Sequence, residues 1–93
     1  MEEVEGLAFR VHGRVQGVGF RYFTQTTARR LGIRGWVKNE ADGTVSGFAV
    51  AEVAPLQAFI QALHQGPPYS RVDQVETQTT VEPNPGPEFQ VRR

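Results

Sequence analysis

Apolar residues recur along this chain with two spacings, one typical of strands and one typical of helices. Leu7, Phe9 and Val11 alternate with polar neighbours. This period of two predicts a half-buried strand from about Gly6 to Arg14. The other predicted elements are, in chain order, a helix from Phe20 or Arg21 to Leu31, strands Arg34–Asn39 and Thr44–Ala51, a helix with Pro55 in its first turn that ends at Gly66, a strand Val72–Val81, a loop at 82–87 and a short strand Glu88–Arg92.

The order of these elements predicts the fold. Strand, helix, two strands, helix and strand, followed by a short extra C-terminal strand, is the ferredoxin-like βαββαβ plan of the α+β class. Each helix has a single apolar stripe, so both helices are expected on one face of an antiparallel sheet. A chain of 93 residues is expected to form one domain, 1–93. In this plan strands 1 and 2 run in the same direction with strand 3 between them.

The segment Gly13–Arg21 joins the first strand to the first helix and is rich in glycine. No side chain at Val18, Gly19 or Phe20 offers an oxygen to cap the helix, so its first N–H groups need another acceptor. A bound anion satisfies that need, and Arg21 adds a fork suited to phosphate. Glycine-rich turns also arise for steric reasons alone, and the segment matches neither a P-loop nor a dinucleotide fingerprint. From the loop by itself both interpretations stand.

The predicted topology brings a second motif to this loop. The end of strand 1, the start of helix 1 and the end of strand 2 lie at the same end of the sheet in a ferredoxin-like fold. Segment 17–21 and Asn39 are therefore expected to converge. Asp42-Gly43, which follows Asn39, is a hairpin signal, and we assign it to the shape of the turn.

Two segments, Gly13–Arg21 and Gly35–Val45, resemble the paired signature of the acylphosphatase family. The resemblance continues through Gly66-Pro67-Pro68 and Arg71-Val72 to Phe89–Arg92, so it covers nearly the whole chain. It implies hydrolysis of acyl phosphates to a carboxylate and inorganic phosphate, with no metal and no other cofactor.

The resemblance also implies roles for individual residues. Arg21 would be the phosphate-binding catalytic arginine, and Asn39 would orient the attacking water. Backbone N–H groups would complete the phosphate site, and they belong to Gln16, Gly17, Val18, Gly19 and Phe20. Such a site supplies positioning and charge stabilisation, which is what phosphoryl transfer requires.

The absence of certain catalytic groups from these motifs indicates which phosphate compounds the site could hydrolyse. Near them the sequence has no evident general acid, no cluster of metal ligands and no Ser–His pair. The alkoxide that leaves from an unactivated phosphate monoester needs protonation or a metal ion. The carboxylate that leaves from an acyl phosphate needs neither, because its conjugate acid has a pKa of about 4. The substrate's own phosphate oxygen would accept the proton of water.

A non-catalytic binding module is the alternative function. The sheet face away from the helices is expected to carry basic and aromatic residues, namely Arg10, His12, Arg14, Arg34, Trp36, Lys38 and Phe48. RNA-recognition domains use such faces, and regulatory small-molecule domains share the fold. The aromatic signature of RNA-recognition domains is absent and the net charge is zero. A regulatory small-molecule domain would leave the pairing of Arg21 with Asn39 unexplained.

Composition adds expectations about partners and location. Formal net charge is zero, so no nucleic-acid partner is predicted. No apolar run approaches about 18 residues, so no membrane span is predicted. The acidic start Met1–Glu5 lacks signal-peptide features, which predicts a cytoplasmic protein, and we expect a monomer.

Overall fold

The computed structural model describes residues 4–81 and 85–93. Within those residues the chain forms five strands and two helices in the predicted order, and the predicted strand boundaries agree with the structure to within two residues. The elements are β1 (Val4–Arg14), α1 (Phe20–Arg30), β2 (Arg34–Asn39), β3 (Val45–Glu52), α2 (Val53–Gln65), β4 (Arg71–Thr79) and β5 (Phe89–Arg92). Residues 82–84 of the predicted loop 82–87 lie outside the described residues, and residues 85–87 belong to no strand or helix.

The five strands form one sheet in the order β4-β1-β3-β2-β5. β3 is antiparallel to both β1 and β2, so β1 and β2 run in the same direction on either side of it. The ferredoxin-like α+β fold with an extra C-terminal strand is therefore confirmed. The expectation of an antiparallel sheet holds for four strands only.

β5 makes the sheet mixed. It pairs in parallel with β2, with Val91 opposite Val37. The chain reverses direction after β4, and a strand added beside β4 would have been antiparallel to it. β5 instead lies at the opposite edge of the sheet, where its neighbour already runs the same way.

Both helices pack on one face of the sheet and enclose the core. On α2 the residues Leu56, Phe59 and Leu63 are buried. Phe59 lies at the centre, with ring centroids 5.5 Å from Phe9 of β1 and 5.9 Å from Phe89 of β5. Burial of a ring of this size stabilises the fold by roughly 1.5–3 kcal/mol. The last strand is thus part of the core as well as of the sheet.

The two helices have 11 and 13 residues. In the part of the chain that the structure describes, neither is long and apolar enough to cross a membrane.

Candidate active site

The loop between β1 and α1 has a backbone that only glycine adopts easily. Gly17 and Gly19 have φ of 75° and 78°, and a Cβ atom added at either would meet no atom within 4 Å. The requirement for glycine there comes from backbone conformation and not from crowding.

Gly19 is also the N-cap of α1, and no side chain caps this helix. The first intrahelical hydrogen bond runs from the N–H of Phe23 to the carbonyl of Gly19, at 3.0 Å. The N–H groups before Phe23, in the first turn of α1, therefore have no acceptor inside the helix. They point out of its N-terminal end, which carries the positive end of the helix dipole. The uncapped helix start that the sequence predicts is present.

A cleft of about 320 Å³ lies at this helix start. Its walls are formed by Val15, Gly17, Gly19, Phe20, Arg21, Tyr22, Asn39 and Val91. The structure thus brings Arg21 and Asn39 to one cleft. Gln16 and Val18, which the sequence placed in the phosphate site, are not among the residues that line it. Val18 is half-buried against the core.

Arg21 is half-buried and reaches towards the last strand. Its Nη1 donates a hydrogen bond of 3.3 Å to the carbonyl oxygen of Arg92. Among the described residues no carboxylate forms an ion pair with Arg21. Most of the guanidinium donors therefore stay available to an anion in the cleft.

Asn39 is the last residue of β2 and pairs with Val45 of β3. A hairpin follows it, closed by a 2.8 Å hydrogen bond from the N–H of Glu40 to the carbonyl of Thr44. The end of a strand is a rigid position, which suits a side chain that must orient a small molecule.

The side chain of Gln16 ties the loop to this hairpin. Its Nε2 donates hydrogen bonds to the carbonyl of Glu40 at 2.8 Å and to the carbonyl of Thr44 at 2.9 Å. These carbonyls close the hairpin directly after Asn39. The sequence assigns only the backbone of Gln16 to the site, because a spacing does not reveal which carbonyls a side-chain amide will meet.

Asp42 holds the same hairpin from its other side. Its Oδ1 accepts hydrogen bonds from the hydroxyl of Thr44 at 2.6 Å and from the N–H of Thr44 at 3.0 Å. Its Oδ2 accepts a hydrogen bond from Arg10 at 3.1 Å. The Thr44 hydroxyl, followed by the Thr44 N–H and the charge of Arg10, lowers the pKa of Asp42 below its ordinary value. The structural role that the sequence assigned to Asp42 agrees with these contacts.

We expect Gln16→Leu to lower kcat/KM for an acyl phosphate by roughly 10- to 100-fold, because the loop loses its fixed position relative to Asn39. Each of the two carbonyls loses one of its two donors and keeps a backbone N–H, so stability should also fall by about 1–2 kcal/mol. Steady-state kinetics and urea unfolding measure the two effects.

Gln16→Glu and Gln74→Leu serve as the comparisons for that variant. Gln16→Glu keeps the size of the side chain but sets a carboxylate against two carbonyl oxygens, so its loss should be larger. Gln74 is an exposed amide on β4, and its change to leucine should leave kcat/KM unaltered. A Gln16→Leu enzyme that is less stable but fully active would show that the amide supports the fold alone.

Three of the five basic residues that the sequence places on the open sheet face contact a carboxylate. Three contacts were found there, namely Arg10 with Asp42, His12 with Glu76 and Lys38 with Glu40. The ring of Trp36 lies 4.5 Å from the guanidinium of Arg92. Paired charges attract a polyanion less than free ones do, so these contacts weaken the RNA-binding alternative.

Within the two described ranges, no three His, Cys, Asp or Glu residues are grouped so that they could hold a metal ion.

Comparison with known proteins gives a consistent result. A family model for acylphosphatases matches residues 7–91. A protein from Salinibacter ruber named acylphosphatase is 45% identical over 84 residues, which cover 90% of this chain and 88% of that protein. One from Archaeoglobus fulgidus is 53% identical over 70 residues, 75% of this chain and 79% of the relative. The crystal structure of acylphosphatase from Bacillus subtilis superposes with a TM-score of 0.91 at 35% identity, covering 98% of this chain and all of that one.

Proposed function

This chain belongs to the acylphosphatase family and is an enzyme that hydrolyses acyl phosphates, and we propose a mechanism for it from the residues of the cleft. The phosphoryl group occupies the uncapped start of α1, where backbone N–H groups of residues 16–20 and the guanidinium of Arg21 bind its oxygens. Asn39 orients a water molecule in line with the leaving carboxylate. The observation that carries this mechanism is that Arg21 and Asn39 line one cleft at that helix start.

Charge stabilisation is the main task of this site. Phosphoryl transfer passes through a loose transition state whose negative charge lies on the equatorial oxygens. Amides held by the loop and a bidentate arginine interact with that charge without reorganisation. Gln16 contributes by position, because it holds the loop against the hairpin that follows Asn39.

The water molecule needs an orienting group and a proton acceptor. The side-chain amide of Asn39 has both an N–H donor and a carbonyl acceptor, so it can hold a water molecule in a set direction. As the P–O bond to the carboxylate breaks, the oxygen of water bonds to phosphorus and its proton passes to a phosphate oxygen. The products are a carboxylate and inorganic phosphate, and no protein group changes its protonation state.

We also propose that the reaction needs no metal ion. Two cationic or dipolar elements, the guanidinium of Arg21 and the start of α1, supply the charge stabilisation that a divalent ion provides in other phosphatases. The carboxylate leaving group has a conjugate acid with a pKa of about 4, so it departs without protonation. We expect a monomer, since one chain contains every group that the mechanism uses. A cytoplasmic location and the absence of a nucleic-acid partner remain predictions, and the net charge of zero supports the second.

The experiment is phosphate release from benzoyl phosphate with and without EDTA, with p-nitrophenyl phosphate as the monoester control. We expect turnover of benzoyl phosphate that EDTA leaves unchanged, and a rate for the monoester lower by a factor on the order of 10³ or more, because p-nitrophenolate is the conjugate base of a weaker acid and is a poorer leaving group than benzoate. Loss of activity with EDTA, restored by a divalent ion, would contradict the metal-free mechanism. Equal rates on both substrates would contradict the substrate class.

A further inference from the structure

Tyr22 is a large aromatic residue that the proposed mechanism does not use. It follows Arg21 in the first turn of α1, and 72% of its surface is exposed. Exposed aromatic side chains beside a reaction site are candidates for contact with the substrate, because they offer a wide apolar surface at low entropic cost.

A second groove begins where the cleft ends. It has a volume of about 380 Å³ and lies between α1, the end of α2 and the turn that follows α2. Gly19 and Tyr22 line both spaces. Phe23, Thr26 and Ala62 line only the groove, whereas Asn39 lines only the cleft. The groove therefore extends along α1, away from the residue that orients water.

In-line geometry links the groove to the reaction. Water attacks phosphorus from the side opposite the leaving group. With water at Asn39, the acyl group of the substrate must project from the other side of the phosphoryl group. Tyr22 and the groove beyond it offer apolar surface for such a group, formed by Tyr22, Phe23, Ala62 and Pro67.

We propose that the acyl group of the substrate lies along this groove against Tyr22, and that the enzyme is selective for acyl phosphates with an extended apolar or aromatic acyl group. The inference rests on the proposed function, since it requires the phosphoryl group to occupy the start of α1. It adds a substrate class, because the single methyl group of acetyl phosphate offers little apolar surface to the groove. Burial of apolar substrate surface is the source of the selectivity.

The test compares kcat/KM for octanoyl phosphate and acetyl phosphate. In the wild-type enzyme the ratio of the two should exceed one. Tyr22→Ala should lower that ratio by about tenfold. Tyr22→Phe keeps the ring and should keep the ratio. Tyr69, which is 83% exposed and lines neither space, supplies the matched control Tyr69→Ala.

A variant that fills the groove gives an independent measurement. Thr26 is exposed on α1, and Thr26→Trp would occupy the groove without touching the cleft. It should lower hydrolysis of octanoyl phosphate by roughly tenfold and spare acetyl phosphate. An unchanged ratio in both Tyr22→Ala and Thr26→Trp would overturn the proposal.

Two further outcomes would contradict the inference, and one of them would contradict the proposed function as well. An equal loss on both substrates in Tyr22→Ala would overturn the inference, because the ring would then contribute to the phosphate cleft that both substrates share and not to binding of the acyl group. A wild-type enzyme that hydrolyses neither substrate would overturn the proposed function, and the inference with it. Activity on acetyl phosphate thus separates the two failures.

Discussion

Arg21→Ala is expected to lower kcat/KM for benzoyl phosphate by a factor on the order of 10³ or more, because the cleft loses its bidentate phosphate donor. The dissociation constant for inorganic phosphate should rise by roughly 10- to 100-fold, the range for a lost hydrogen bond to a charged group. Stability should change by less than about 1 kcal/mol, since the only hydrogen bond found for this side chain among the described residues is an exposed one of 3.3 Å. Kinetics, calorimetric titration with phosphate and urea unfolding measure these three quantities.

Two control variants define what Arg21 does. Arg21→Lys keeps the charge but loses the planar fork, so it should recover phosphate affinity better than it recovers turnover. Arg71 is exposed and pairs with Asp73, and Arg71→Ala should keep full activity. Substantial hydrolysis by a folded Arg21→Ala enzyme would remove Arg21 from the mechanism.

Asn39→Ala should separate turnover from phosphate binding. The variant no longer orients water, so kcat should fall by roughly 10²- to 10³-fold. Its dissociation constant for inorganic phosphate should stay within about threefold of the wild-type value, because the loop and Arg21 are untouched. Single-turnover kinetics combined with phosphate titration would record both effects.

Asn39→Asp is the sharper companion variant. It keeps the shape of the side chain but replaces the N–H donor with charge, which repels the phosphoryl group as well. Its phosphate affinity should therefore fall, unlike that of Asn39→Ala. If the alanine variant itself loses phosphate affinity, Asn39 belongs to the phosphate site and another group must orient water.

Much of the fold could be predicted because local signals and topology agree. The alternation at Leu7, Phe9 and Val11 and the stripe on α2 each specify an element and the face that it buries. The direction of β5 relative to its neighbouring strand could not be predicted from such signals. It depends on which edge of the sheet the last strand joins, and its four residues contain no signal for that choice.

The sequence could predict only those features of the site that depend on the backbone fold. Topology and the uncapped start of α1 bring Arg21 and Asn39 to one cleft without any side-chain detail. The bonds of the Gln16 amide to Glu40 and Thr44, and the wall formed by Val91, depend on how side chains and a remote strand meet. Such contacts follow from packing in three dimensions, which no spacing along the chain encodes.

The position of β5 has a consequence for how this protein comes to be folded. Phe89 is fully buried against α2, and the carbonyl of Arg92 binds a side chain 71 positions earlier in the chain. Contacts of such high sequence separation form only after a large loss of loop entropy, so folding is expected to be slow for a chain of this size. During synthesis, the core can be completed only after β5 has left the ribosome. The same holds for the hydrogen bond between Arg21 and the carbonyl of Arg92. The ability to bind phosphate should therefore appear late, together with cooperative folding and not before it.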